Sequence, residues 1–228
     1  MNWEAFFLSL ELAFITSVAL LIIGLPLSYW ITISTWRWKF FIEAFVALPI
    51  VLPPTVLGFY LLVAMGSQSF LGSFTQAVFG SPLVFTFWGL VIASILYSLP
   101  FTIQPLSMSF SGVDKRLLDT SSILGASPLQ TFFRIMLPLS YKGVVTAFIL
   151  SFAHTLGEFG IILMVGGNIP GVTRTISIDL YDQVQAMNYR GASETAFFLL
   201  VTSFIFLSLV YFIDRGKKMV MRGSTIYR

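Results

Sequence analysis

Long apolar stretches alternate with short polar segments along this chain. No charged side chain lies between Glu11 and Arg37, and none lies between Glu43 and Asp114. A helix needs roughly 20 apolar residues to cross a bilayer, so the second stretch is long enough for two crossings. Its Ser-, Gly- and Gln-rich middle, 66–82, predicts a loop with a short helix. With the later apolar runs, the pattern predicts five transmembrane helices, near 5–32, 40–65, 84–110, 139–165 and 195–214.

The composition excludes a soluble globular chain. Hydrophobic residues make up 57% and charged residues 10% of the 228 residues, where a soluble domain carries about 25% charge. The mean hydropathy of +0.89 also excludes an intrinsically disordered chain. Cysteine is absent, which excludes thiol catalysis and cysteine-bound metal centres. We therefore expect an all-α integral membrane protein that forms a single domain over residues 1–228.

The positive charges are concentrated in one set of connecting segments, and cytoplasmic loops are the ones that carry excess Lys and Arg. The alternate loops hold only Arg174 and Arg190. This bias predicts an N-terminus outside the membrane and a C-terminus in the cytoplasm, and it explains the net charge of +3 without nucleic acid. Because Glu4 and Glu11 stand where a signal peptide is basic, the first helix is expected to remain as an anchor. The other eleven cations are Arg37, Lys39, Lys115, Arg116, Arg134, Lys142, Arg215, Lys217, Lys218, Arg222 and Arg228.

Prolines interrupt the second predicted span at Pro49, Pro53 and Pro54. Each removes a backbone donor, and a bilayer tolerates the freed carbonyls only against protein or a wet cavity. The span is therefore either a kinked helix with no further role or a helix that lines a path. Other predicted spans are interrupted in the same way, at Pro26, Pro100 and Pro105.

Two ionisable residues, His154 and Glu158, fall inside the fourth predicted span. Their spacing of four residues lets them share a helix face. A zinc site needs three or four ligands, and His154 is the only histidine, so we expect no metal site. The pair is then either a polar contact satisfied within the helix bundle, a carboxylate near the outer interface, or part of a pathway or gate.

The predicted cytoplasmic loop, 111–138, has the pattern of two short helices joined by a turn. Asp114 is placed to cap the first helix, Gly125 suits a chain reversal, and Ser127–Pro128 begins the second helix. A structured elbow of this size implies a docking partner. Helical spacing places four residues on one face of the first helix, Leu117, Leu118, Ser121 and Leu124.

The same loop resembles the cytoplasmic signature of the permease subunits of bacterial ABC importers. That signature reads Glu-Ala-Ala, three residues, Gly, nine residues, Ile, one residue, Leu-Pro. This chain has Asp119-Thr120-Ser121, then Gly125, Ile135 and Leu137-Pro138 at the same spacing. The first three residues depart from the pattern, while the glycine and the Ile-x-Leu-Pro end match it.

The resemblance extends over most of the chain. The segments 48–62, 156–160 and 168–176 look like those of molybdate permeases, and sulfate permeases are close relatives. The resemblance implies a type I importer fold and a homodimer in the bacterial inner membrane. It also implies two cytoplasmic ATPase subunits, which hold ATP and Mg, and a periplasmic binding protein. The substrate would be a tetrahedral oxyanion, molybdate or tungstate, with sulfate or thiosulfate as the alternative.

The resemblance and the patterns together give three groups of candidate site residues. Arg174 is the candidate contact for the binding protein. The candidates for a translocation path or gate are Pro53, Pro54, Thr55, Gly58, His154, Gly157, Glu158 and Gly160. The candidates for coupling to the ATPase are Asp114, Leu118, Asp119, Thr120, Ser121, Leu124, Gly125, Ala126 and Pro128.

Three other classes compete with this interpretation. An intramembrane hydrolase would have to use the pair His154 and Glu158 alone. A secondary transporter often has an inverted repeat, and the halves of this chain show none. A membrane anchor that transports nothing would need no proline-broken spans. The chain also lacks a Gly-x4-Gly-Lys-Ser/Thr motif, so ATP is expected to bind elsewhere and the chain itself to be non-catalytic.

Overall fold

A computed structural model describes residues 1–223, with side chains described for residues 1–213 apart from Phe79. Over this part of the chain the protein is helical and contains no strand. The side chains of the cations Arg215, Lys217, Lys218 and Arg222, and all of Arg228, lie outside the described residues. The helices are α1 Trp3–Ile33, α2 Lys39–Val51, α3 Pro54–Met65, α4 Phe70–Phe79, α5 Phe87–Ser111, α6 Lys115–Ile123, α7 Pro128–Thr131, α8 Leu137–Leu139, α9 Tyr141–Leu156, α10 Gly160–Gly166, α11 Ile176–Gln185 and α12 Tyr189–Gly223.

The hydrophobic pattern predicts five spans, and the described helices are long and apolar enough for up to five. Three are single helices, namely α1, α5 and the Tyr189–Ile213 part of α12. The other two would each be a bent pair, α2 with α3 and the segment Pro128–Leu139 with α9, which meet at 74°. Span boundaries agree with the prediction to within a few residues for α1, for α2 with α3, and for α5. The prediction is wrong for the other two spans. α12 begins at Tyr189 instead of 195, and the predicted span 139–165 is interrupted, because α9 ends at Leu156 and a break precedes α10.

The second predicted span is two helices rather than one kinked helix. α2 and α3 meet at a bend of 112°. Pro53 and Pro54 cannot donate to the carbonyls of Pro49 and Ile50, and proline pushes the residue before it out of the helical region. Leu52 accordingly has φ −73° and ψ 136°, and Pro53 has φ −55° and ψ 136°. The helix therefore stops at Val51 and restarts at Pro54.

The core is a bundle of α1, α5 and α9. α1 and α5 run parallel, because Leu12 packs near Leu90 whereas Gly24 lies against Thr102. A Cβ atom at Gly24 would lie 2.8 Å from the Thr102 Cγ2 atom, so the missing side chain is what lets the two helices approach. α9 runs antiparallel to both, with Gly143 against Ser109 at the elbow end of the bundle.

Loops and short helices gather at the two ends of this bundle. At one end the start of α1 contacts α11, where the Asn2 amide donates to Asp179 at 3.1 Å and the Ile176 N–H donates to Ser9 Oγ at 2.8 Å. At the other end the segment 114–139 packs on α1 and α5 through Phe132. We call these the N-terminal end and the elbow end.

Candidate functional site

The elbow begins with a capped helix and a glycine turn. The Arg116 N–H donates to the Asp114 carboxylate at 2.9 Å, which satisfies one free donor at the start of α6. After α6 the Ala126 N–H donates to the Ser121 carbonyl and the Gly125 N–H to the Ser122 carbonyl, both at 3.0 Å. This pair of bonds is a Schellman motif, which needs a left-handed residue. Gly125 supplies it with φ +79°.

The second leg of the elbow is fixed by a capping box. The Gln130 N–H donates to Ser127 Oγ at 3.3 Å, and the Ser127 N–H donates to Gln130 Oε1 at 2.9 Å. The exposed Pro128 stands in the first turn of α7, as predicted. The chain then passes through a π-helical segment, Phe132–Met136, just before Pro138, whose missing N–H prevents a regular helix there.

The four residues predicted to share one face of α6 differ in burial. Leu118 is half-buried and Ser121 is buried, and Ser121 Oγ lies 2.8 Å from Thr131 Oγ1 of the second leg. Leu117 and Leu124 are exposed. The helical spacing predicts a shared face but not which of its residues the second leg covers.

The outer face of the elbow is apolar although it lies beyond the spans. Ile123 and Leu124 are 85% and 80% exposed, and Leu129 of the second leg is exposed as well. Such side chains at the tip of a rigid turn are typical of a docking surface. The other predicted coupling residues also lie on the elbow, with Asp119 and Thr120 exposed and Ala126 half-buried.

Two helix breaks lie side by side within the bundle. One is the break at Pro53 between α2 and α3, and the other is the break 157–159 between α9 and α10. Pro54 contacts Gly160, where an added Cβ would lie 2.9 Å from the proline Cβ. Pro53, Thr55 and Gly157 are exposed there. We call these three residues, with the half-buried His154, the broken-helix surface.

The glycines near the breaks serve a different purpose from the exposed residues. Gly58 is buried, and a Cβ there would lie 2.8 Å from Met164 Cβ and 3.3 Å from the Ile161 Cα. It therefore sets the close approach of α3 and α10 and does not line an open surface of the protomer. Gly160 does the same against Pro54.

His154 and Glu158 do not share a helix face, so the predicted pair is wrong. α9 ends at Leu156, which places Glu158 in the break. The Glu158 side chain is 5% exposed, and its carboxyl group lies near the Ser94 hydroxyl without a well-aligned hydrogen bond to any described residue. His154 contacts α5 instead, through Ser98 Oγ at 2.8 Å from its Nδ1 and through a stack on Phe101 with ring centroids 3.9 Å apart.

The α5 residues of this region are not among those predicted from the sequence. Tyr97, Ser98 and Phe101 surround the His154 ring, and the Gln104 amide is exposed one turn further along the span. An exposed amide at membrane depth is costly in lipid. The sequence does contain a signal for Gln104, because this residue, between Pro100 and Pro105, is the only amide side chain in α5.

Arg174 lies at the N-terminal end and is held by its own loop. Its Nε donates to Asn168 Oδ1 at 2.6 Å and lies 3.7 Å from Asp182 Oδ2. The Asn168 amide in turn donates to Asp182 at 2.7 Å. The guanidinium therefore braces the connection between α10 and α11.

Comparisons with known proteins agree on one family. The sequence profile of the family described as "Binding-protein-dependent transport system inner membrane component" matches residues 21–219. The chain is 49% identical over 210 residues to the "Molybdenum transport system permease protein ModB" of Azotobacter vinelandii, covering 92% of this chain and 93% of that protein. It is 35% identical to the ModB of Escherichia coli (strain K12), covering 81% and 80%.

A solved structure supports the same fold. It is the "Crystal structure of a bacterial ABC transporter involved in the import of the acidic polysaccharide alginate", with a TM-score of 0.72 at 15% identity, covering 95% of this chain and 79% of that one. The match spans the helix bundle and is a likeness of fold alone. With the family profile covering most of its length, the chain belongs to the binding-protein-dependent transport system inner membrane components.

Proposed function

We propose that this protein is the membrane-spanning permease subunit of an ATP-driven importer that moves a tetrahedral oxyanion, molybdate or tungstate, into the cell. The observation that carries the proposal is the 49% identity to a molybdenum transport permease over 92% of the chain. The elbow and the paired helix breaks supply the two parts that such a subunit needs, a docking surface and a path.

The proposed partners at the elbow end are two cytoplasmic ATPase subunits. The exposed apolar side chains Ile123, Leu124 and Leu129 sit on a turn that is fixed by two caps, so the partner meets a rigid shape. ATP and magnesium would bind the partner. The acidic Asp119 is exposed and makes no hydrogen bond within the described residues, so it is free to bind a donor on the partner.

A second copy of this chain is the proposed neighbour of the broken-helix surface. Thr55 and the open backbone near Pro53 are exposed at membrane depth. Lipid offers no hydrogen bonds to such groups, whereas a homodimer would enclose them around a water-filled path. The periplasmic binding protein would dock at the N-terminal end, where Val184, Met187 and Tyr189 are exposed beside the braced Arg174 loop.

Reporter fusions test the proposed orientation in the bacterial inner membrane. Because the N-terminal end is poor in cations and the elbow end is rich in them, alkaline phosphatase fused after residue 75 or 180 is expected to be active. Fusions after residue 125 or 220 are expected to be inactive. The opposite pattern would contradict the orientation and with it the side assigned to each partner.

Uptake tests the function itself. Cells that express this subunit with its ATPase and binding protein should accumulate labelled molybdate, and unlabelled tungstate should compete more strongly than sulfate. The control is the same strain without the permease gene. Uptake of sulfate with no uptake of molybdate would contradict the proposed substrate and identify the protein as a sulfate permease.

A further inference from the structure

We propose that His154 donates a hydrogen bond from Nε2 to the passing oxyanion as a neutral imidazole, and that Ser98 and Thr155 hold the ring in the required tautomer. The inference rests on the proposed function, since it names the group that meets the substrate. It makes His154 a contact in the path and makes Ser98 and Thr155 positioning residues.

The three side chains form a short chain of hydrogen bonds inside the bundle. Ser98 Oγ lies 2.8 Å from His154 Nδ1 and 3.0 Å from Thr155 Oγ1. Ser98 and Thr155 are both buried. Each hydroxyl has one proton to donate and two lone pairs that accept, so Ser98 donates to one of its two neighbours or accepts from both.

Counting buried protons decides the direction. If Thr155 donates to Ser98 and Ser98 donates to Nδ1, every hydroxyl proton has an acceptor. If the ring donates from Nδ1, then either the Ser98 proton or the Thr155 proton has no acceptor among the described residues, and both hydroxyls are buried. A buried donor without a partner costs free energy. The first direction is therefore favoured, because the donor that it leaves without a partner is the N–H of the half-buried His154 ring rather than a buried hydroxyl. It places the ring proton on Nε2 and excludes a doubly protonated ring.

The ring is held against α5, on the helical turn before the break 157–159. It stacks on Phe101 at 3.9 Å and lies 5.0 Å from the Tyr97 ring. Phe152, two residues earlier on α9, packs on Phe206 of α12 at 5.2 Å. Two residues turn a helix by about 200°, so His154 faces away from α12 and lies one turn before the exposed Gly157. Nε2 makes no hydrogen bond to the described residues.

A neutral donor suits a transport path for a dianion. A binding site along a path must be favourable enough to enter and weak enough to leave. A buried cation would hold a dianion tightly, whereas an imidazole N–H binds it by a single hydrogen bond. The exposed Gln104 amide lies on the same side of α5 as Phe101 and offers a second neutral donor.

The tautomer can be read directly, because His154 is the only histidine in the chain. The permease alone is labelled with ¹⁵N-histidine, purified with a tag that contains no histidine, combined with unlabelled partner subunits and studied by NMR in lipid nanodiscs. The expected spectrum shows a protonated Nε2 and a bare Nδ1, and Ser98→Ala should produce a mixture of both tautomers. A proton on Nδ1, or a cationic ring, in the wild-type complex would overturn the inference.

Transport tests the donor. In proteoliposomes with the ATPase and the molybdate-loaded binding protein, His154→Phe keeps the stack but loses the donor, and should lower the molybdate moved per ATP hydrolysed about tenfold. His154→Gln restores an N–H and should recover most of it. Ser151→Ala is the matched control, since that buried α9 hydroxyl donates to its own helix at Ala147, and should behave as wild type.

The outcomes separate the inference from the proposed function. A wild-type ratio in His154→Phe would refute the donor role, and so would equal losses in His154→Phe and His154→Gln. If His154→Phe does not assemble, the Ser98→Ala ratio decides, and a wild-type value there refutes the positioning role. If the wild-type complex moves no molybdate, the proposed function fails while the nitrogen spectrum still tests the tautomer.

Discussion

Gly125→Asp is expected to abolish transport while the protein remains inserted and dimeric. Gly125 has φ +79°, a conformation that costs an ordinary side chain about 1 kcal/mol. That cost alone does not unfold the protein, and a Cβ there meets no atom within 4 Å. The larger effect falls on the partner, because the new side chain and its charge project from the tip beside Leu124. Affinity for the ATPase should fall roughly 30-fold or more, the loss of about 2 kcal/mol that is typical of a central interface residue.

Gly80→Asp is the matched control for this prediction. Gly80 has φ +77°, is exposed and also has no atom within 4 Å of an added Cβ, but it follows α4, away from the elbow. It carries the same backbone cost without touching the ATPase surface, so its transport rate should stay close to that of the wild type. Equal transport by the two variants would show that Gly125 is only a flexible loop residue.

Gly58→Leu is expected to have the second large effect, on stability and transport together. A Cβ at Gly58 would already lie 2.8 Å from Met164 Cβ, and the backbone of Ile161 closes the other side. Overpacking of this kind costs about 1–3 kcal/mol, which corresponds to a fall in Tm of about 3–10 °C for a chain of this size. Thermal unfolding in detergent measures the shift, and uptake should fall because α3 and α10 no longer meet.

Gly157→Ala provides the comparison. Gly157 lies in the adjacent break, has φ −90° and meets nothing closer than Ala153 O at 3.8 Å. The added methyl group fits, so the Tm should change little. A similar fall in both variants would mean that the breaks respond to any side chain and that close packing is not the cause.

Local chemistry made the fold and the elbow predictable. Charge-free stretches mark spans because lipid excludes charge, and Asp114, Gly125 and Pro128 act within a few residues of themselves. The structure confirms the cap at Asp114 and the positive φ at Gly125. These features need no knowledge of distant contacts.

The candidate path was harder to predict because its geometry depends on contacts between distant segments. The spacing of His154 and Glu158 suggested one face, but α9 ends at Leu156, where the chain passes Pro54. The partner of His154 is Ser98, on another helix. Similarly, Ser121 meets Thr131 across the elbow while Leu117 and Leu124 stay exposed, and the spacing along α6 does not contain that contact.

The close packing of α3 on α10 also has a consequence for biogenesis. α3 leaves the ribosome well before α10, because α4 to α9 are synthesised between them. Until α10 arrives, the face of α3 at Gly58 lacks the contacts with Met164 and Ile161 that fill it. α3 therefore reaches its native packing only after α10 has been inserted. A chain truncated before α10 would retain its elbow, but its α3 would lack a packing partner and would be exposed to membrane quality-control proteases.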